Sequence, residues 1–289
     1  MRRKISPPLP AARKKLAPLM QSCYDKLLKY AGPEKQRRSF VHSEYKGEKH
    51  MNILLIGYGR MGKLIEQTAQ AAGDRVVCAM DLDNLDQLAA MDKTADVILD
   101  FSNPSAFALV EAYVRRTGTP LLSGTTGYSA DQLARLRALG AYAPVLHSGN
   151  YSLGIAVFQR VLRQIAPTLL PDFDVEITET HHNQKVDAPS GTALMLRDAI
   201  DPAGEMTLVY GRQGSVGKRG EKEIGIHALR GGTVAGVHTV SFFGPDEELT
   251  ITHRAASRQI FVNGALHMAR ILKDKPNGVY DLQALLFQN

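Results

Sequence analysis

The chain has 289 residues, 44% of them hydrophobic and 22% charged, which is room for a large core and two domains and ordinary for a soluble globular protein. No apolar run is long enough to span a bilayer, two cysteines (Cys23 and Cys78) give no disulfide framework, and no Cys/His spacing resembles a zinc or other metal site. The net charge of +6 is unevenly placed: residues 1–50 carry 13 Lys+Arg and 4 Asp+Glu, a net +9, whereas 51–289 carry 22 and 25, a net −3, so the body of the chain has no basis for nucleic-acid binding.

Residues 1–50 read as a basic N-terminal extension, expected to be disordered. Pro7, Pro8, Pro10 and Pro18 punctuate it, Leu16 to Tyr30 has the pattern of one short amphipathic helix, and a polar stretch runs on to His50. Met51 directly precedes the first strand and reads as the usual start. A basic arm touching RNA or an acidic surface, and a targeting peptide, are the rival readings. No secretory apolar core is present, and the segment is not Ser-rich as a transit peptide would be. A cytoplasmic setting is expected.

From Met51 strands and helices alternate. Ile53 to Ile56 is an apolar run entering Gly57-Tyr58-Gly59-Arg60-Met61-Gly62, after which Leu64, Ile65, Ala69 and Ala72 follow a helical period. That context is what a dinucleotide fingerprint requires. Gly57 permits the tight turn, Gly59 lets a pyrophosphate approach the backbone, and Gly62 lets helix and strand pack closely. Arg75 to Asp81 is a second strand ending in an acid suited to the adenosine ribose hydroxyls. Strand-like 95–102, a helix from Pro104 to Arg116 and a strand from Pro120 into Gly124-Thr125-Thr126-Gly127 follow. Ser129-Ala-Asp-Gln132 is a capping box, and Val145 to Tyr151 is the next strand end. Such alternation predicts a parallel, doubly wound Rossmann-type sheet with ligands at the strands' carboxyl ends. The polar ends Gly124–Gly127 and Ser148-Gly149-Asn150-Tyr151 fall where a nicotinamide would lie.

After a long helix from Ser152 to Leu170 the pattern changes. Phe173–Thr180, Thr207–Arg212, Glu223–Leu229, Thr233–Phe243 and Glu248–His253 are strand-like. They predict a second α+β domain with an antiparallel or mixed sheet. Gly211 to Lys222 is a mobile-loop candidate, His227, His238 and His253 read as packed or surface residues, and 258–273 returns to a helical pattern expected to pack back on the first sheet. The expected organisation is 51–149 with 257–289 as the dinucleotide-binding domain, and 150–256 as the substrate-binding and oligomerisation domain.

One segment carries most of the chemistry: Glu179-Thr-His181-His182-Asn-Gln-Lys185-Val-Asp187-Ala-Pro189-Ser190-Gly191-Thr192-Ala193. Pro-Ser-Gly-Thr reads as a turn into a helix N-terminus, where free N–H groups and the helix dipole attract anions. Ser190 is a natural N-cap, and Gly191 lets a ligand approach the backbone. Proton donors beside an anion pocket suit a carboxylated substrate that must accept a proton, and His181, with a free pKa near ~6.5, suits proton transfer near neutrality.

Together these motifs resemble the 4-hydroxy-tetrahydrodipicolinate (dihydrodipicolinate) reductase family over essentially all of 51–289. The match rests on 179–193, on Gly124–Gly127, on Asn150-Tyr151 and on His253-Arg-Ala-Ala-Ser-Arg258. The resemblance implies NAD(P)H-dependent reduction of 4-hydroxy-tetrahydrodipicolinate in lysine and diaminopimelate biosynthesis, by a homotetramer whose only other partner is a small dicarboxylate. It makes His181 the proton donor/acceptor and Lys185 a second donor. His182, Ser190, Gly191 and Thr192 become substrate-binding. The implied dinucleotide contacts are Gly57 to Gly62 (Tyr58, Arg60 and Met61 included), Asp81, Gly124, Thr125, Thr126 and Ser148 to Tyr151. Asp81 implies a preference for NADH over NADPH. Two departures stand out: only 13 residues separate Asp81 from Ala95, so the dinucleotide-binding part is trimmed, and Tyr151 stands where the family often has Phe. Another two-domain dehydrogenase of amino-acid metabolism and a non-catalytic dinucleotide sensor are the alternative readings.

Overall fold

A computed structural model describes residues 50–287. The extension's expected disorder and its amphipathic helix at 16–30 lie outside the described residues.

The first sheet is six-stranded and parallel, in the order β11-β5-β4-β3-β1-β2. Its strands are β1 (Asn52–Ile56), β2 (Arg75–Met80), β3 (Val97–Asp100), β4 (Leu121–Ser123), β5 (Pro144–His147) and β11 (Gly278–Tyr280). The near-continuous apolar reading of β1 has a simple cause: both of its faces are covered. Ile53 and Leu55 face one cluster with Ile65 and Ala69 of α1 (Arg60–Ala71) and with Val262, Leu266 and Met268 of α6 (Gln259–Leu272). Leu54 and Ile56 face the other, with Phe107, Val110 and Val114 of α2 (Phe107–Thr117) and Leu136 of α3 (Ala130–Ala138). The capping box at Ser129 and Gln132 is formed in both directions. The helix expected from Pro104 begins instead with a 3-10 turn, Pro104–Ala106, because Asn103 Oδ1 takes the Ser105 amide at 3.0 Å. No α-helix joins β2 to β3; a 3-10 turn, Leu85–Ala89, makes the crossing, as the short Asp81–Ala95 spacing requires.

The second sheet is mixed, in the order β10-β9-β6-β8-β7. Its strands are β6 (Asp174–His181), β7 (Thr207–Tyr210), β8 (Glu223–Arg230), β9 (Gly236–Phe243) and β10 (Glu248–Ala255). β9 runs antiparallel to β6 and β10, while β8 runs parallel to β6 and β7. α5 (Gly191–Ile200) intervenes between β6 and β7 and supplies the crossover that a parallel β6–β8 pair demands. On β6, Val175, Ile177, Glu179 and His181 are buried and the alternate residues are not. Val175 and Ile177 pack with Ile224, Ile226, Val240 and Phe242 under Leu162 of α4 (Leu153–Leu169) and Leu196 of α5. Among the described residues, the helices pack on this face and none covers the opposite one. Its charged end is tied into the loop at 211–222, which is anchored rather than loose: Arg212 binds Glu176 at 3.0 Å and Arg219 binds Asp174 at 2.7 Å. His227 joins this cluster through Glu176 Oε2 at 2.7 Å.

α6 returns to the first sheet and passes so close to the β5 end that a Cβ on Gly264 would lie 1.7 Å from the Tyr151 carbonyl oxygen. β11 and α7 (Leu282–Leu286), invisible in the sequence pattern, close that sheet.

Candidate active site

The dinucleotide turn is built as its glycines imply. Gly57 has φ +93°, and a Cβ there would lie 2.4 Å from the Phe101 carbonyl oxygen, so only glycine fits. A Cβ on Gly62 would strike the Gly57 carbonyl oxygen at 2.1 Å. Gly59, the N-cap of α1, has nothing within 4 Å of an added Cβ. Open space thus meets free backbone N–H groups, the arrangement a pyrophosphate needs. Tyr58 donates its hydroxyl to Glu66, and Lys63 lies 5.8 Å from its ring centroid. Arg60 is exposed and Met61 half-buried. Asp81, just past β2, is exposed; its Oδ1 accepts the Asp83 amide at 3.1 Å and its own amide donates to Asn84.

The ends of β3, β4 and β5 meet around a buried carboxylate. Asp100, 1% exposed, accepts from the Ser102 amide and hydroxyl, from Ser123 Oγ and from the Tyr128 hydroxyl. Burial, and then the Asp100 charge, push the Tyr128 phenol well above its ordinary range, so it stays a donor. Thr125 is buried, accepting from the Ser102 amide at 3.0 Å, and its carbonyl meets His147 Nε2 at 3.0 Å. A Cβ on Gly124 would strike the Phe101 ring at 2.3 Å. That leaves Thr126 and the turn backbone exposed, beside Gly149 and Ser148. Tyr151 is buried and donates to the Ser123 carbonyl at 2.8 Å, bracing β4 against β5. Asn150 is a bridge: its amide nitrogen donates to Thr192 Oγ1 at 2.9 Å, and its oxygen accepts the Ser152 amide at 2.8 Å. The strand-end loop of the first sheet is thereby fastened to the start of α5.

At that start Ser190 Oγ caps the helix by accepting the Ala193 amide at 3.2 Å, while the Gly191 and Thr192 amides are left without an intrahelical partner. An added Cβ on Gly191 would meet nothing within 4 Å. The Ser190 amide donates to Glu179 at 3.0 Å. Glu179 is fully buried and also receives a two-pronged guanidinium bond from Arg230, 2.9 Å on each oxygen, and His181 Nδ1 at 2.6 Å. Burial alone would push this carboxyl up, but Arg230, His181 and the Ser190 amide more than offset it and hold it below the ordinary carboxylate range. Lys185 pairs with Asp187 at 2.8 Å, which holds the Asp187 carboxyl low, and its amide donates to the His182 carbonyl.

His238, expected as a packed or surface residue, is packed, and it sits among the candidate site residues. It is 4% exposed, its Nε2 lies 3.1 Å from Ser190 Oγ, and its ring packs edge-on to His181 at 5.1 Å between centroids. Burial, and then the nearby His181, hold its pKa down to about 4; His253 and Lys185 add to this, so these groups share one neighbourhood. Arg230 and Asn150 likewise act in this neighbourhood in ways that residue type alone did not announce. The available signal was register: Glu179 pairs with His238 across β6/β9, and His238 with His253 across β9/β10. Arg258 opens α6 with an exposed side chain. Among the described residues no cluster of ligands could hold a metal ion, and no helix is long and apolar enough to cross a membrane.

A family model described as dihydrodipicolinate reductase, N-terminus, matches residues 51–151, and one described as dihydrodipicolinate reductase, C-terminus, matches 154–286. A 4-hydroxy-tetrahydrodipicolinate reductase from an Exiguobacterium species is 39% identical over 238 residues, covering 81% of this chain and 95% of the relative. One from Staphylococcus aureus is 42% identical over 245 residues, covering 81% of this chain and all of the relative. The fold is similar to that of a dipicolinate-bound dihydrodipicolinate reductase from Paenisporosarcina, with a TM-score of 0.62 at 19% identity, covering 81% and 98% of the two chains.

Proposed function

The chain belongs to the dihydrodipicolinate reductase family, and from that membership we propose how its residues divide the work. The reaction is the NAD(P)H-dependent reduction of 4-hydroxy-tetrahydrodipicolinate to tetrahydrodipicolinate, with the 4-hydroxyl lost as water, in lysine and diaminopimelate biosynthesis. The bound nicotinamide supplies a hydride. The open glycine turn and the α1 N-terminus hold the pyrophosphate, and Asp81 takes the adenosine ribose hydroxyls, favouring NADH over NADPH. Thr126, Gly149 and the braced strand ends would hold the nicotinamide.

The protein's own chemistry is positioning and proton delivery. One substrate carboxylate is bound by the Gly191 and Thr192 amides and the Ser190 hydroxyl, a preorganised set of donors. Lys185 meets the second, with His182 lining the same loop; Asp187 keeps the ammonium extended until substrate displaces it. Fixing both carboxylates turns one ring face toward the hydride. His181 then gives a proton to the electron-rich carbon left on the substrate, from Nε2, because Glu179 occupies Nδ1. The single observation that carries this reading is the shared hub: Glu179 orients His181 and, through the Ser190 amide, the helix start that binds the anion.

The face of the second sheet that no described helix covers supports self-association, with the homotetramer as the expected form. Leu229 and Phe243 stand exposed there beside a Thr239–Thr252 and Ser241–Thr250 hydroxyl ladder. A cytoplasmic setting fits a chain whose chemistry draws on soluble metabolites.

Competition tests the shared anion pocket. Pyridine-2,6-dicarboxylate should be competitive with substrate, and its inhibition should weaken as salt rises, since part of the attraction is Coulombic. Inhibition that is non-competitive against substrate would contradict the pocket.

A further inference from the structure

We propose that His238 is a positioning residue that makes the Ser190 hydroxyl a dedicated proton donor toward the substrate carboxylate. This rests on the reading above that the start of α5 binds a carboxylate. Ser190 Oγ has one proton and two lone pairs. One lone pair takes the Ala193 amide at 3.2 Å. The other partner within reach is His238 Nε2 at 3.1 Å, and the direction of that bond decides what the hydroxyl can do.

Two arrangements are possible for a neutral ring, and burial keeps this ring neutral, with its pKa down to about 4. If Ser190 donated to Nε2, the ring proton would sit on Nδ1, which is buried and has no partner. An orphaned buried N–H is rarer and costlier than an under-used acceptor. The proton therefore sits on Nε2 and is donated to Ser190 Oγ, leaving Nδ1 as a bare acceptor. Both lone pairs of Ser190 are then filled, so the hydroxyl cannot accept from anything else. Its proton has one remaining use, a ligand oxygen at the helix start beside the Gly191 and Thr192 amides. A hydroxyl that could accept as easily as donate would bind a carboxylate less selectively.

The Glu179 hub reinforces the arrangement from the other side. Its Oε1 takes the Ser190 amide at 3.0 Å, fixing the backbone from which the hydroxyl projects. His253, the cross-strand partner of His238, has its Nε2 3.4 Å from Ser152 Oγ and its own Nδ1 without a partner, so it offers His238 no competing bond.

The test is a double-mutant cycle on the full chain saturated with NADH, reading pyridine-2,6-dicarboxylate affinity by calorimetry. Ser190→Ala and His238→Asn should each raise Kd about ten-fold or more, the loss of one hydrogen bond to a charged group. The double variant should be no weaker than Ser190→Ala alone, because His238 acts through that hydroxyl. His238→Gln, whose amide nitrogen reaches the Nε2 position, should keep affinity within about three-fold. NADH affinity should be unchanged in every variant, which a general loss of folding would not allow. Losses that multiply in the double variant, a His238→Asn protein with normal affinity, or a His238→Gln protein as damaged as His238→Asn would overturn the proposal. Should His238→Asn fail to bind NADH, the comparison of His238→Gln with Ser190→Ala decides it: a ten-fold loss in the Gln variant counts against. A normal Kd in Ser190→Ala would instead contradict the anion-site reading on which this one rests.

Discussion

Glu179 and His181 are two residues apart on one strand, and their side chains meet on its buried face, Oε2 to Nδ1 at 2.6 Å. The period-two alternation of a strand puts i and i+2 on one side, and here it joins a buried carboxylate to the imidazole proposed as the proton donor. The same carboxylate carries the Arg230 pair, so the ring is held by a group that is itself held.

Replacing Glu179 by Gln should therefore lower kcat while leaving NADH affinity near wild type. The loss should approach, without exceeding, the ~10²–10⁴-fold expected for removing a general acid. Arg230 would be left without its counter-charge in the same variant, so folding must be checked by NADH fluorescence titration. An unchanged kcat in a folded Glu179→Gln protein would remove the orienting role.

The pH dependence of stability should carry the mark of His238. Its folded pKa, about 4, lies below the ordinary 6.5, so below pH ~6.5 the unfolded chain binds a proton that the folded chain refuses. Stability is full above that pH and is lost as pH falls from about 6.5 toward 4. At ~1.4 kcal/mol per pK unit the span is worth on the order of 3 kcal/mol. A His238→Gln protein should show a shallower fall of Tm between pH 6.5 and 4 than wild type. Parallel curves would mean that His238 titrates normally in the fold.

Asp81 predicts a higher kcat/KM with NADH than with NADPH. An exposed carboxylate with its backbone already turned by Asn84 accepts ribose hydroxyls and repels a 2′-phosphate. Arg60, exposed at the glycine turn, and Lys63 soften the effect, so the outcome is a preference and not an exclusion. A kcat/KM for NADPH well above that for NADH would contradict the assignment of Asp81.

Much of this was legible in the sequence, because the signals were local. The glycine turn is dictated by contacts between residues a few positions apart, such as Gly62 against the Gly57 carbonyl. The capping box at Ser129 and the Ser190-capped start of α5 are likewise written within four residues. What stayed hidden depends on register between distant strands. His238 reaches Ser190 across 48 positions and Arg230 reaches Glu179 across 51, and no spacing rule in one sequence reports which strands will pair. Asn150 was legible as a polar strand end, but its bridge to Thr192 was not. β11 is three residues long and α7 five, too short for periodicity to register.

Deleting residues 1–50 should leave activity intact. Met51 is fully buried, and its amide donates to Asp74 Oδ1 at 3.1 Å. A new ammonium at Met51 would face the same carboxylate, exchanging an amide bond for a charge-assisted one. The glycine turn and the 179–193 segment all lie downstream. An insoluble truncated protein, or one that has lost most of its kcat/KM, would make the extension structural. RNA binding by the full chain alone at physiological salt would favour the basic-arm reading.

The most direct measurement is oxidation of NADH by wild type, His181→Gln and Lys185→Ala with the cyclised product of pyruvate and aspartate semialdehyde as substrate. Wild type should oxidise the cofactor in proportion to substrate added. Each variant should lose ~10²–10⁴-fold in kcat while binding NADH as wild type does. Near-wild-type turnover in both variants, or a folded wild-type protein that binds NADH and never oxidises it, would contradict the account.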